Sequence, residues 1–211
     1  LEIIKNTGAD AVHPGYGFLS ENADFSKLIS KMGAVWIGPP SSIITTMGDK
    51  MAARRLAEKA GAPVVPGTTE PLKDLQTTKK TADKIGYPIL IKAAGGGGGK
   101  GMRIIKSSSE LANAMERAKS EAGKAFSDDR IYMEKYLEEP HHIEIQVFAD
   151  KHGNIVSLGE RECSIQRRYQ KIIEETPSPF IDVRLRTALE QSAIQITRAC
   201  KYSGAGTIEF M

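Results

Sequence analysis

The chain has 211 residues, 40% of them hydrophobic and 26% charged, and a formal net charge of +3. That composition fits a folded globular protein with one sizeable core or two small ones. The basic residues are dispersed, with Lys79-Lys80 and Arg167-Arg168 too short to hold nucleic acid, and no apolar run nears the ~20 residues of a membrane span.

The first forty residues read as helix, short strand, loop, helix, strand. Ala9 to Val12 precedes the Pro/Gly-rich His13 to Gly17, Phe25 to Lys31 is amphipathic, and Ala34 to Ile37 ends at Gly38-Pro39-Pro40. This alternation predicts part of an α/β layer with parallel strands. A helix follows over Ser41 to Met47, and a second over Lys50 to Lys59 stops at Gly61 with Pro63 beyond. Residues 68–136 then read as a small α+β unit. Its parts are a helix over Leu75 to Ile85, a strand Ile89 to Lys92, a glycine loop, a strand Met102 to Ile105, a helix to about Lys124 opened by the capping box Ser107 to Glu110, and a strand Ile131 to Tyr136. Beyond Glu138, His142 to Phe148 alternates as a strand, Lys151 to Asn154 turns, and Ile155 to Gly159 returns. An amphipathic helix over Arg184 to Tyr202 leads to a last strand, Gly206 to Phe210.

Leu1 opens inside a helix without an initiator methionine or a signal-peptide pattern, and the chain stops within a strand, so both ends are expected to be cut from a larger domain. Cys163 and Cys200 form no metal or redox motif and point to a reducing compartment.

The densest information lies in Gly95 to Gly99, five consecutive glycines flanked by Lys92, Lys100 and Arg103. Glycine costs backbone entropy, so such a run calls for a ligand that approaches bare N–H groups, as phosphates do. A P-loop is excluded because Gly101, not Ser or Thr, follows Lys100. Gly96, Gly98 and Gly101 meet G-x-G-x-x-G, but Met-Arg-Ile-Ile follows and reads as a strand where that pattern needs a helix. Strand, loop and strand make either a flap over a nucleotide or an unliganded surface hairpin.

Other candidates carry two readings each. Lys50 and Lys92 are a charge clamp for one polyphosphate or two solvated lysines, with Lys92 the more pointed because it ends an apolar strand. Glu134 to Leu137 is an adenine- and ribose-reading hinge or an edge charge pair. Glu162 to Lys171 is an irregular donor cluster for an anion or an exposed charged loop. Glu209, in an apolar strand, faces outward or meets a magnesium ion. His141-His142 lacks metal spacing, which favours hydrogen bonding.

In order along the chain stand His13-Pro-Gly-Tyr-Gly-Phe-Leu-Ser-Glu-Asn22, Met47-Gly-Asp-Lys50, Ile91 to Met102, Glu134-Lys-Tyr-Leu137, His142-Ile-Glu-Ile-Gln-Val147 and Ser164-Ile-Gln-Arg-Arg-Tyr-Gln-Lys171. This ordered set closely resembles the biotin carboxylase family of the ATP-grasp superfamily, from Gly8 to the last residue. The resemblance implies an α/β and α+β chain with the ATP-grasp fold. Residues 1–40 would be part of the N-terminal biotin carboxylase layer, 41–67 linker helices, 68–136 the small mobile lid, and 137–211 the first part of the C-terminal subdomain.

The implied reaction carboxylates biotin from ATP and bicarbonate through carboxyphosphate, with Mg2+ or Mn2+. By the same resemblance Lys50 and Lys92 bind phosphates, and Gly95, Gly96, Gly97, Gly98 and Gly99 form the flap. Glu134, Lys135, Leu137 and Met211 surround adenine, while His142 and Gln166 face the ribose. Lys171 binds bicarbonate, Glu209 is one of two metal-binding glutamates, and Tyr16 and Glu21 lie toward biotin and bicarbonate. Tyr169 departs from the histidine common in Arg-Arg-His-Gln-Lys, and its phenol keeps a hydrogen-bond donor among the nucleotide contacts.

The implied partners are a biotin carboxyl carrier domain and a carboxyltransferase, in a homo-oligomeric full-length enzyme of the cytoplasm or mitochondrial matrix, with no nucleic acid or membrane. The second metal-binding glutamate, an arginine for bicarbonate and the base lie beyond Met211 in the family, so the segment alone is expected to be inactive. Another ATP-grasp ligase, such as a carbamoyl-phosphate synthetase half, fits the His13 to Asn22 and Gln166 to Lys171 motifs less well. A non-catalytic nucleotide-binding module leaves Lys171 without a role.

Overall fold

A computed structural model describes residues 1–95 and 102–211. Helix α1 (Glu2–Thr7), strand β1 (Ala11–Val12), helix α2 (Ala23–Lys31) and strand β2 (Val35–Trp36) follow the expected order, and β1 and β2 pair in parallel through Ala11↔Val35 and Val12↔Trp36. Asn22 starts α2 by accepting from the Phe25 N–H at 2.8 Å. Helix α3 (Ser41–Gly48) meets helix α4 (Lys50–Lys59) at Asp49, whose extended backbone separates the two.

The next layer is an antiparallel sheet of order β4-β3-β5, built from β3 (Ile89–Ala93), β4 (Arg103–Ile105) and β5 (Ile131–Lys135) and backed by helices α5 (Leu75–Ile85) and α6 (Leu111–Phe126). Strand alternation sorts its two faces. Ile89, Ile91 and Ala93 pack with Ile131 and Met133 against Ala82 of α5 and Met115, Ala118 and Ala122 of α6. Leu90 and Lys92 are left for the opposite face. The expected capping box is altered. A single 3₁₀ turn, Ser108–Glu110, precedes α6, the Ser107 and Ser109 hydroxyls pair at 2.9 Å, and the Glu110 carboxylate reaches back to the Lys106 N–H at 3.1 Å. The tighter turn shifts the reciprocal bond by one residue.

Strands β6 (Ile143–Ala149), β7 (Ile155–Arg167), β8 (Gln170–Glu175) and β9 (Gly204–Phe210) form the third layer in the order β8-β7-β6-β9, all neighbours antiparallel. Helix α7 (Val183–Ala199) covers one face, where Ala193 and Leu189 pack on Ile145, Val147, Ile208 and Phe210. The expected return strand ending at Gly159 and the irregular segment Glu162 to Lys171 are instead one long hairpin. Register shifts between Glu162 and Gln166 break the alternation that marks a strand, and the turn residues Arg168 and Tyr169 take φ of 51° and 65° without the Asn-Gly signal such a turn normally carries.

The stretch between α4 and α5 runs along β5 as a partial extra strand. The Lys135 N–H donates to the Pro66 carbonyl at 2.7 Å, the Thr68 N–H donates to that of Met133 at 2.8 Å, and Gly67 pairs with Glu134. A Cβ on Gly67 would stand 2.6 Å from the Met133 carbonyl oxygen and 2.9 Å from the Glu134 Cα, both backbone atoms with no room to yield. Gly67→Ala is therefore expected to cost about 1–3 kcal/mol of stability by overpacking. Urea unfolding of the variant checks this, and an unchanged midpoint would show that the contact is not tight.

Candidate active site

Lys92 leaves β3 on the face away from the α5–α6 core, and β5 brings Glu134 to the same face, because Leu90↔Glu134 and Lys92↔Tyr132 are register partners. The Lys92 ammonium and Glu134 carboxylate form an ion pair in which both side chains are largely buried. Lys50 opens α4, and its backbone N–H donates to the Ala94 carbonyl at 3.3 Å, which sets the start of that helix against the end of β3. Burial, and then the positive charge of Lys92, pull the Lys50 ammonium below its ordinary pKa, while Glu134 and Glu209 act in the opposite sense. Two ammonium groups thus crowd each other beside the positive end of a helix, an arrangement that favours a polyanion.

A cavity of about 240 Å³ opens beside Lys92 and Glu134. Glu134, Lys135 and Leu137 line one side of it and His142 and Gln166 another, with Tyr169 at the hairpin tip and Met211 after β9. The Lys135 ammonium is engaged elsewhere, donating to the Gly86 and Tyr87 carbonyls at 3.0 Å each. Val65, Leu90, Met102, Tyr136, Pro140 and Ser164 complete the lining; Met102, Tyr136 and Ser164 lie within motifs read from the sequence, while Val65, Leu90 and Pro140 were not singled out. Leu90 and Met102 carry the readable signal, since they are the apolar residues alternating away from the helices around Lys92.

Below the cavity the polar face of the β6–β9 sheet carries a charge network. Alternation sends Ile143, Ile145 and Val147 toward α7 and Glu144 and Gln146 the other way, and Glu144 faces Arg161 on β7 and Glu209 on β9 in register. The buried Glu144 carboxylate bonds both Lys171 and Arg161, Arg161 also donates to Gln146 at 3.0 Å, and Lys171 Nζ meets Glu209 Oε1 at 2.8 Å. Burial works against the Lys171 ammonium, but Glu144 and Glu209 outweigh it and raise its pKa above the usual lysine value. The half-exposed Glu209 is held down to about 2, first by its bond to His142 and then by Lys171. Glu144 and Arg161 escaped sequence reasoning, although Glu144 alternates with isoleucines in the His142 to Val147 motif.

His142 joins the two regions. Gln166 Nε2 donates to its Nδ1, so the ring proton sits on Nε2, which faces Glu209 Oε1 at 3.5 Å. The backbone N–H of His142 is held by Ser164 Oγ at 2.8 Å. Lys50, Lys92, Glu134, His142, Gln166, Lys171 and Glu209 are thereby brought into one continuous site.

Tyr16 and Glu21 are not part of that cavity. They line a separate one of about 400 Å³, with Met47, Phe148 and Tyr202, at the far end of β9, and Tyr16 is almost fully exposed. Gly95 lies just past the end of β3 beside Asp128, while Gly96, Gly97, Gly98 and Gly99 lie outside the described residues. Among the described residues Glu144, Cys163 and Glu174 also bring ligand atoms within 4.8 Å of one another. Burial and then Glu144 push the Cys163 thiol up to about 11, and Glu144 is consumed by its two cations, so this group is a poor metal site.

The profile of the family described as "Carbamoyl-phosphate synthase L chain, ATP binding domain" matches residues 49–211, and that of "Biotin carboxylase, N-terminal domain" matches residues 1–44. The biotin carboxylase of Haemophilus influenzae is 51% identical over 97% of this chain, which covers 46% of that protein. The mitochondrial methylcrotonoyl-CoA carboxylase subunit alpha of Dictyostelium discoideum is 50% identical over the whole chain, which covers 30% of it. Among solved structures, the biotin carboxylase domain of the Hydrogenobacter thermophilus 2-oxoglutarate carboxylase, determined with MgADP, ADP and bicarbonate, superposes with a TM-score of 0.94 at 44% identity. That match covers 99% of this chain and 46% of the other. The chain thus spans less than half the length of these relatives. With both profiles, the relatives and the ATP-grasp architecture in agreement, the chain belongs to the biotin carboxylase family.

Proposed function

We propose that this chain is the nucleotide- and bicarbonate-binding part of an ATP-dependent biotin carboxylase, a component of an acyl-CoA or pyruvate carboxylase. One observation carries the reading. Two partly desolvated ammonium groups, Lys50 and Lys92, act on one another, and Lys92 lines a cavity that connects through His142 to a third cation, Lys171, held on a separate carboxylate scaffold.

In this reading adenine lies against Leu137, Met211 and the end of β5, and the ribose meets His142 and Gln166. The phosphates lie across Lys50 and Lys92. Each lysine serves as a point charge that neutralises oxygens during phosphoryl transfer. Lys171 holds bicarbonate so that its oxygen attacks the γ-phosphorus. ADP leaves, and the carboxyphosphate formed breaks down to carbon dioxide and phosphate. Loss of the biotin ureido proton to phosphate or a nearby base then allows the ureido nitrogen to bond carbon dioxide. The elevated proton affinity of Lys171 suits this role, because the group stays cationic throughout the physiological range and acts by charge, not by proton transfer.

Glu209 fits a magnesium or manganese site. It is an ionised hard carboxylate near the lysines that meet the phosphates, and magnesium is commonly held by one or two carboxylates together with substrate phosphates. Such an ion supplies further charge neutralisation at the β- and γ-phosphates.

We further assign 1–40 to the N-terminal layer, 41–67 to the linker, 68–136 to a lid and 137–211 to the core subdomain, with Tyr16 and Glu21 toward the biotin end. A biotin carboxyl carrier and a carboxyltransferase are the expected partners. Among the described residues no helix is long and apolar enough to cross a membrane. We place the protein in the cytoplasm or the mitochondrial matrix, the matrix in keeping with the mitochondrial naming of the Dictyostelium relative.

In the full-length protein Lys171→Gln should leave ATP affinity unchanged and abolish biotin carboxylation, whereas Lys92→Gln should weaken ATP binding and lower kcat by about 10²–10³-fold. Nucleotide titration and carbon-14 bicarbonate fixation separate the two effects, and parallel loss of ATP binding in both variants would contradict the assignment. A pH dependence follows as well. The folded-state pKa of Glu209 lies near 2, below the ordinary 4.5. Its ion pairs therefore stabilise the fold above about 4.5 and lose that contribution as pH falls toward 2. In acid titrations of unfolding, Glu209→Gln should show a shallower loss across that window, and an identical slope would contradict the assigned pairing.

A further inference from the structure

Lys50 and Lys92 come from different layers, so something must fix the distance between them. A closed ring of contacts joins their backbones. Lys50 N–H donates to Ala94 O at 3.3 Å, and Ala94 N–H donates to Arg130 O at 2.8 Å. Arg130 Nη1 then donates to Asp49 Oδ2 at 3.0 Å, and Asp49 is bonded to Lys50. Lys92 lies two residues before Ala94 on β3. Beneath the ring, Met51, Ala94 and Tyr132 form a small buried cluster.

The members are oriented from behind. Asp128 grips Arg130 at both Nε (2.9 Å to Oδ1) and Nη2 (2.7 Å to Oδ2), which leaves Nη1 for Asp49. Asp49 uses its other oxygen to cap α4, accepting from Met51 and Ala52 at 3.0 and 2.9 Å. Burial tends to raise the Asp49 pKa, but the Ala52 N–H and Arg130 overcome it and keep the carboxylate ionised.

We propose that Asp49 and Arg130 are positioning residues that clasp the start of α4 to the ends of β3 and β5 and so set the spacing of Lys50 and Lys92 for a nucleotide polyphosphate. The proposal rests on the functional reading above and adds to it residues that touch no substrate. The Arg130 side chain is 46% exposed, so the ion pair by itself contributes little to stability. Its effect is geometric and falls on the phosphate end of the ligand, because the adenine end is held by Leu137 and Met211 on other elements.

The test uses the full-length protein, with ATP and adenosine titrated separately. Asp49→Asn retains a capping oxygen but discharges the clasp, and Arg130→Ala removes it. Both should weaken ATP about tenfold while leaving adenosine within about twofold, the scale of coupling in a contact network. Arg130→Lys, which keeps one charged donor, should recover most of the ATP affinity. If Arg130→Ala does not fold, Asp49→Asn carries the comparison alone. Unchanged ATP affinity in the variants, or a parallel loss of adenosine, overturns the clasp. A wild-type protein that binds ATP no better than adenosine overturns the functional reading itself, and the clasp with it.

Discussion

The site is organised by the cost of holding like charges together away from water. Lys50 is partly desolvated, and the positive charge of Lys92 further disfavours its ammonium form. The fold supplies partial compensation. Glu134 pairs directly with Lys92, and Glu209 and Glu134 act on Lys50 from further off. Among the described residues no carboxylate closes on Lys50 as an ion pair. A polyphosphate placed across both lysines relieves the repulsion, so the cost accepted in the folded chain becomes differential affinity for a ligand carrying several negative charges. Lys171 is treated differently. It is fully compensated by Glu144 and Glu209, and its charge is fixed in place instead of waiting for a ligand.

One structural device builds both halves of the site. In each antiparallel sheet alternate residues face a helix and the intervening residues face the cavity or the charge network. Ile89 and Ile91 pack toward α6 while Leu90 and Lys92 face away. Ile145, Val147 and Ile208 pack toward α7, while Glu144 and Glu209 meet Lys171. The apolar half of each strand keeps the backbone rigid, and that rigidity holds charged groups in geometries that would be too costly on a loop.

This device explains what could be read in the sequence. Lys92 and Glu209 are charged residues inside apolar alternating runs, and such interruptions point to a ligand or a partner. The strands of the β4-β3-β5 sheet and the strand at His142 were legible from their apolar patterning, and the parallel β1–β2 layer from the alternation of helices and strands. Lys50 was named as half of a charge clamp with a solvated lysine as the alternative, because a lysine at the start of an amphipathic helix carries little signal of its own; its link to Ala94, 44 positions away, is visible only in the fold. The β7–β8 hairpin was misread because its register shifts hide the alternation and its turn residues are Arg168 and Tyr169. Glu144 and Arg161 form their pair across neighbouring strands, a relation no local pattern encodes. Tyr16 and Glu21 showed as a motif, but their place in a second cavity depends on how the N-terminal layer packs on β9 and α7.

The account stands on bicarbonate, held by Lys171, attacking a phosphate held by Lys50 and Lys92. The most direct measurement follows oxygen-18 from labelled bicarbonate during ATP turnover by the full-length protein in the presence of biotin. The account predicts label in the inorganic phosphate released, because the attacking oxygen stays on phosphorus when carboxyphosphate decomposes. Unlabelled phosphate, whose one newly added oxygen comes from solvent water, would contradict it.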